Sequence, residues 1–346
     1  MSNYLNKPVR LSFGDTIGIV SPSSNLAALA PHRIRQAVVN LEKMGFKVKL
    51  GKHVYDNSGY TAGTAQNRAE DLNQMFADPE VKAIICAIGG FHSNQILSFL
   101  DWNLIKKNPK IFLGFSDISV LHFALQTKTN LVTFYGPAVM TQFGESFGVD
   151  QYTLEFWQKA LMQAEPVGFI KPSDKWTDEF LNWFNQEDIK RNRSYKTNNG
   201  WLWLKEGQVE GEIMGGCLTS IMHLRGTDFW PDFSGKILFW EISESSSNPA
   251  VGEMVEKIDS YLTDLKLSGV LQKIKGMIVG RPKGYTEEQN KKLQEIIKEQ
   301  TKEFNYPILF NVDIGHTDPI ITVPLGVRIK LDSEKNVFSF EEPGVI

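Results

Sequence analysis

The sequence predicts an α/β protein: an N-terminal, mostly parallel sheet flanked by helices, plus a second, mixed α/β domain. Two observations carry this. The first half alternates short apolar strands with helix-length amphipathic segments, and repeated β-α units place strands in parallel with helices on both faces. That alternation breaks near residue 165 and resumes near 206 with a different mixture of elements. The boundaries expected are therefore an N-terminal domain over 1–165, a tryptophan-rich connection or lid over 166–205, and a C-terminal domain over 206–346.

The elements follow from local chemistry. Thr16 to Ser21 is apolar and β-branched and ends in the turn Pro22-Ser23-Ser24-Asn25. A helix over 31–44 has Pro31 at its start, Ile34, Ala37, Val38, Leu41 and Met44 at helical spacing, and Gly45 as its stop. Strands are expected at 46–50, 82–88 and 111–113, with helices at 65–76, 95–100 and 117–126. Between 165 and 205 lie Trp176, Trp183, Trp201 and Trp203, a basic run from Lys190 to Arg193, and little periodicity. Beyond it come strands at 211–214, 236–241, 276–279 and 306–313. A short helix to about Arg225, helices over 250–265 and 286–304, and a final strand pair around the turn Asp332 to Asn336 complete the expectation.

Composition narrows the function. With 346 residues, 42% hydrophobic, 22% charged and a net charge of −3, the chain has room for two ordinary cores and no basic surface suited to nucleic acid. No apolar run reaches membrane-spanning length and the start lacks a signal-peptide pattern, so a cytoplasmic protein with neither nucleic-acid nor membrane partner is expected. The two cysteines, Cys86 and Cys217, read as buried small residues, and the six histidines lack metal-ligand spacing. No metal and no cofactor are expected.

The most informative run is Ile111 to Ser119, a strand, a glycine, then Ser116 at the tip of a turn that opens a helix. A serine there is exposed and held in a fixed direction, as a nucleophile requires, and the backbone N–H of Asp117 can face an oxyanion. Ser116 as a plain helix cap is the competing reading. A base and an orienting carboxylate must complete a nucleophile. His316, after a strand end and behind Gly315, is one candidate base and His92 is its rival; Glu241, closing an apolar strand, is the candidate carboxylate, with a solvated strand end as the alternative. The order Ser, Glu, His suits an α/β-hydrolase, but that fold needs glycine two places after the serine and here stands Ile118.

Taken in order, Asp15 to Ser24, Ile88-Gly89-Gly90, Gly114-Phe115-Ser116-Asp117, Tyr135-Gly136-Pro137, Gly211 to Gly216, the strand ending in Glu241, and Gly315-His316 resemble the LD-carboxypeptidase family of serine peptidases over nearly the whole chain. The resemblance implies Ser116 as nucleophile, His316 as general base and Glu241 as its orienting group. It also implies an oxyanion hole from the backbone N–H groups of Gly90 and Asp117, and a site between the two domains. It implies a serine carboxypeptidase that cuts an amide bond in a small molecule. The two family branches act on an aminoacyl-nucleotide of microcin C type or on the muropeptide tetrapeptide with release of D-alanine. The run Ile88 to Leu97 looks more like the microcin immunity branch, and a tryptophan of the connecting segment, Trp183 among them, suits stacking on adenine. Gly89, Ser93, Asn94, Trp183 and Cys217 are the expected substrate-binding positions, and Cys217 stands where the family commonly has asparagine. A homodimer is the expected assembly. A two-domain binding protein that uses the same cleft without chemistry is the alternative from another class.

Overall fold

A computed structural model describes residues 5–245 and 248–346. The first half contributes strands β1 (Thr16–Val20), β2 (Lys47–Leu50), β3 (Val81–Cys86), β4 (Ile111–Gly114) and β5 (Phe134–Tyr135), with helices α1 (Pro31–Lys43), α2 (Ala65–Ala77), α3 (Ser119–Thr129) and α4 (Gln151–Met162). The second half supplies strands β6 (Gly168–Phe169), β7 (Leu202–Lys205), β8 (Gln208–Cys217), β9 (Ile237–Glu241), β10 (Gly276–Gly280), β11 (Ile308–Val312), β12 (Val323–Pro324), β13 (Arg328–Asp332) and β14 (Val337–Phe340). Its long helices are α5 (Val255–Leu267) and α6 (Glu287–Gln300).

Helix boundaries follow capping chemistry. The Thr64 hydroxyl accepts the Asn67 N–H at 3.1 Å to start α2, Asp150 accepts that of Tyr152 at 2.9 Å to start α4, and Thr286 with Gln289 forms a capping box on α6. The first sheet runs β12-β5-β4-β3-β1-β2, parallel from β2 through β5. The second runs β6-β14-β13-β8-β9-β10-β11-β7, with β8 to β11 parallel at its centre. Its central strands β9 and β10 are buried along their whole length, as strands covered on both faces must be.

Two expected helix starts are corrected, and one segment gains strands. The helix placed over 250–265 starts only at Val255, because Glu244–Ser245 and Asn248–Gly252 form an antiparallel ribbon ahead of it, where Pro249 and Gly252 resist a helix. Within the segment 166–205, β6 pairs with β14 and β7 with β11, strands that the sequence reading did not place there. The helix expected from 117 begins as a 3₁₀ turn, Ser116–Ile118, before α3 takes over. One strand crosses between the halves, since β12, from the C-terminal part of the chain, pairs antiparallel with β5 of the first sheet.

The candidate active site

The parallel strands of both sheets present their carboxyl ends to one cleft, where ligands of open α/β sheets bind. β4 ends at Gly114 and delivers Ser116 with a φ of 64°. A left-handed backbone at a non-glycine residue stores about 1–3 kcal/mol of strain, and such strain clusters at functional turns. β9 ends in Glu241, and the parallel register sets Cys217 of β8 directly beside it. The loop after β11 delivers His316, behind Gly315, whose φ of 106° and closeness to the Glu241 carboxylate leave no room for a side chain.

Glu241 is fully buried and each of its oxygens has a partner: Oε2 meets His316 Nδ1 at 2.7 Å, and Oε1 accepts the Tyr135 hydroxyl at 2.6 Å. The same hydroxyl accepts the backbone N–H of Ser116 at 3.2 Å. Tyr135 thus ties the carboxylate of one sheet to the serine turn of the other, and its place beside Gly114 in the β4–β5 register puts it there. On the far side of the imidazole, Nε2 lies 3.8 Å from Glu244 Oε2. Burial pulls the His316 pKa down, but the charges of Glu241 and Glu244 outweigh it and raise the value above that of an ordinary histidine. His316, Ser116, Gly89 and Gly90 line one cavity of about 370 Å³, with Tyr60 and Phe91 at its rim.

The glycine turn is locked to the serine turn. The Asp117 carboxylate is fully buried and accepts the Ser23 hydroxyl at 2.5 Å and the Ser93 N–H at 2.8 Å, while the Ser93 hydroxyl donates to the Asp117 carbonyl at 2.8 Å. A Cβ on Gly89 would stand 2.8 Å from that of Ser116, so only glycine lets the two turns approach this closely. Across the cleft, the Ser119 hydroxyl donates to the Ser116 carbonyl at 2.6 Å and accepts the Cys217 N–H at 2.9 Å.

The expected substrate contacts divide. Gly89 lines the serine cavity, whereas Ser93 is buried and spent on Asp117, and Asn94 is exposed and lines neither cavity described here. Cys217 is buried, and its thiol stands with Glu241 and His316 so that one ligand atom from each lies within 4.8 Å of the others. Burial, then the Glu241 charge, pushes that thiol well above its ordinary pKa. His92 packs at a tilt against Tyr60 with ring centroids 4.6 Å apart, while the Glu241 carboxylate is bonded to His316.

Of the four tryptophans in the connecting segment, only Trp183 lines a second cavity, of about 280 Å³, which shares His316 and Phe115 with the first. The Arg33 guanidinium covers one face of its indole at 4.6 Å. The others are structural: Trp176 lies under Lys196 and Arg281, Trp201 packs on Phe338, and Trp203 donates to Asn336 at 2.9 Å. Sequence reasoning assigned no role to Tyr135, Glu244 or Lys283. Tyr135 was visible within the Tyr-Gly-Pro motif, but its role depends on a strand register that no local pattern encodes.

Models of the LD-carboxypeptidase N-terminal and C-terminal domains match residues 17–136 and 210–331. The chain belongs to the LD-carboxypeptidase family. It is a serine-type carboxypeptidase, a hydrolase. The microcin C7 self-immunity protein MccF of Escherichia coli is 32% identical over 96% of this chain and 94% of its own. A probable murein peptide carboxypeptidase of Bacillus subtilis is also 32% identical, over 98% of this chain and 95% of its own. The structure of MccF in complex with aspartyl sulfamoyl adenosine superposes with a TM-score of 0.89 at 31% identity, covering 99% of this chain and 100% of that one. Among the described residues of this LD-carboxypeptidase, no helix is long and apolar enough to cross a membrane.

Proposed function

We propose that this carboxypeptidase hydrolyses the amide between an acidic aminoacyl group and a nucleotide-like group, using Ser116 as nucleophile, His316 as base and Glu241 as the group that orients it. The observation that carries this reading is the fully bonded Glu241, one oxygen on His316 Nδ1 and the other on the tyrosine that receives the Ser116 N–H. With Nδ1 held by the carboxylate, Nε2 is the atom left to take the serine proton. Ser116 Oγ then bonds to the acyl carbon, and the carbonyl oxygen becomes an oxyanion facing the N–H groups of Gly90 and Asp117. As the C–N bond breaks, the proton passes from His316 to the leaving nitrogen. Water, deprotonated by the same imidazole, releases the acid and restores the serine.

The nucleotide-type substrate is favoured by Trp183, an indole on the wall of a cavity continuous with His316. Its likeness to a protein solved with aspartyl sulfamoyl adenosine supports the same substrate class. The muropeptide reading is kept alive by a murein peptide carboxypeptidase of equal identity. Chromatographic assay of both amides decides between them. Rapid cleavage of aspartyl sulfamoyl adenosine with little release of D-alanine from tetrapeptide is expected, and the reverse preference refutes the branch assignment.

A further inference from the structure

Most charges lining the Trp183 cavity are already matched. Arg193 holds Asp318 at 2.5 Å and Glu145 at 3.5 Å, Asp188 is held by Arg33 at 3.0 Å, and Glu179 accepts from Arg191 at 2.6 Å. Lys283 differs. It is 7% exposed and lines the cavity with His316 and Glu244. Among the described residues its ammonium has one hydrogen-bond partner, the Asp178 carbonyl, and no carboxylate at ion-pair distance. An ammonium offers three donors, and a buried one left short of partners is costly unless a ligand completes it.

The stem of Lys283 starts from a fixed place. The residue follows β10, whose parallel partner β9 ends in Glu241, so both side chains arise at the same sheet edge. The ribbon carrying Glu244 is seated on its turn: a Cβ on Gly252 would collide with the Lys283 carbonyl, and the Tyr285 hydroxyl donates to the Glu253 carbonyl at 2.7 Å.

We propose that Lys283 anchors a carboxylate of the substrate's acyl part, and that this contact makes the enzyme select acidic aminoacyl amides. The inference rests on the function proposed above and names the residue that reads the acid. A singly charged carboxylate balances one ammonium, whereas a phosphate dianion would leave excess negative charge beside Glu244, itself 3.8 Å from His316 Nε2. Burial lowers the pKa of Lys283 from the ordinary lysine value, opposed by Glu244, Asp178 and Asp318. A bound carboxylate adds to the opposing side and holds the charge in place.

The test uses the Ser116→Ala protein and calorimetry with aspartyl sulfamoyl adenosine and its asparaginyl counterpart, which differ only in that one group. Aspartyl binding tighter by about 10- to 150-fold is expected from one charge-assisted contact. Adding Lys283→Met should erase the preference by weakening only the aspartyl ligand, and Lys283→Arg should restore most of it. Equal affinity of the two ligands with Lys283 present, binding of neither, or equal loss of both on Lys283→Met overturns the proposal. The last of these outcomes marks a lysine that merely pins the Asp178 segment. Hydrolysis by the Ser116 protein is measured separately, so the anchor and the reaction fail independently.

Discussion

The Tyr135 hydroxyl donates to Glu241 Oε1 at 2.6 Å, and this bond joins the end of a strand in one sheet to the end of a strand in the other. Its oxygen also receives the Ser116 N–H, so one group sets both the tilt of the carboxylate and the position of the serine turn. Tyr135→Phe should therefore remove about 1–3 kcal/mol of stability by leaving buried polar atoms unpaired, and lower kcat roughly 5- to 150-fold. Chemical denaturation and steady-state kinetics check this. An unchanged kcat would mean that Glu241 is held without help.

Ser116 separates activity from stability. Ser116→Ala should reduce kcat by about four to six powers of ten with the fold intact. Ser116→Gly should be equally inactive yet more stable, by about 1 kcal/mol, because glycine adopts a φ of 64° without the steric cost borne by serine. A glycine variant that melts below the wild type contradicts the strained-turn reading.

The pH profile carries a sign. Glu241 and Glu244 raise the pKa of His316 against the lowering effect of burial, with Lys283 a further opposing charge. As the proposed base, the imidazole must be neutral to accept the serine proton, so kcat/KM should rise with pH through a midpoint above the ordinary histidine value. The stability supplied by these carboxylates runs the other way. A raised folded pKa contributes in full below the unfolded value and is lost as pH climbs through the folded one. Glu244→Gln should shift the kinetic midpoint downward, and a midpoint that stays put would show that Glu244 does not sense the ring.

Trp183 should discriminate between substrates. Stacking of a base on an indole is worth about 1–3 kcal/mol, so Trp183→Ala should lower kcat/KM for the adenylate-type amide roughly 5- to 150-fold and barely affect a peptide lacking an aromatic group. Arg33 loses its cation–π contact in the same variant, so Trp183→Phe is the control that keeps a ring beneath the guanidinium. Equal losses on both substrates would make Trp183 a packing residue.

Strands β1 to β4 of the first sheet were legible because each is punctuated by glycine, proline or a capping side chain, whereas the two-residue strands β5 and β12 were not. Ser116, Glu241 and His316 were legible as polar residues at the ends of apolar strands. What the sequence hid was non-local. The pairing of Trp203 with Leu309 is decided by partners about a hundred residues away, so β7 looked like part of a loop. Tyr135, Glu244 and Lys283 hid for a related reason, since their roles depend on which strand ends become neighbours. Residues 250–252, the end of the second ribbon strand, read as helix because α5 begins three residues later.

The crossing strand β12 limits how this protein can come apart. A segment that follows His316 in the chain completes the edge of the sheet bearing Ser116, so neither half is a finished object without the other. Heating should give one melting transition, and fragments cut between residues 165 and 206 should not accumulate as folded cores. The cleft is therefore a seam within one cooperative unit, with the Ser116 turn on one side tied through Tyr135 to Glu241 and His316 on the other.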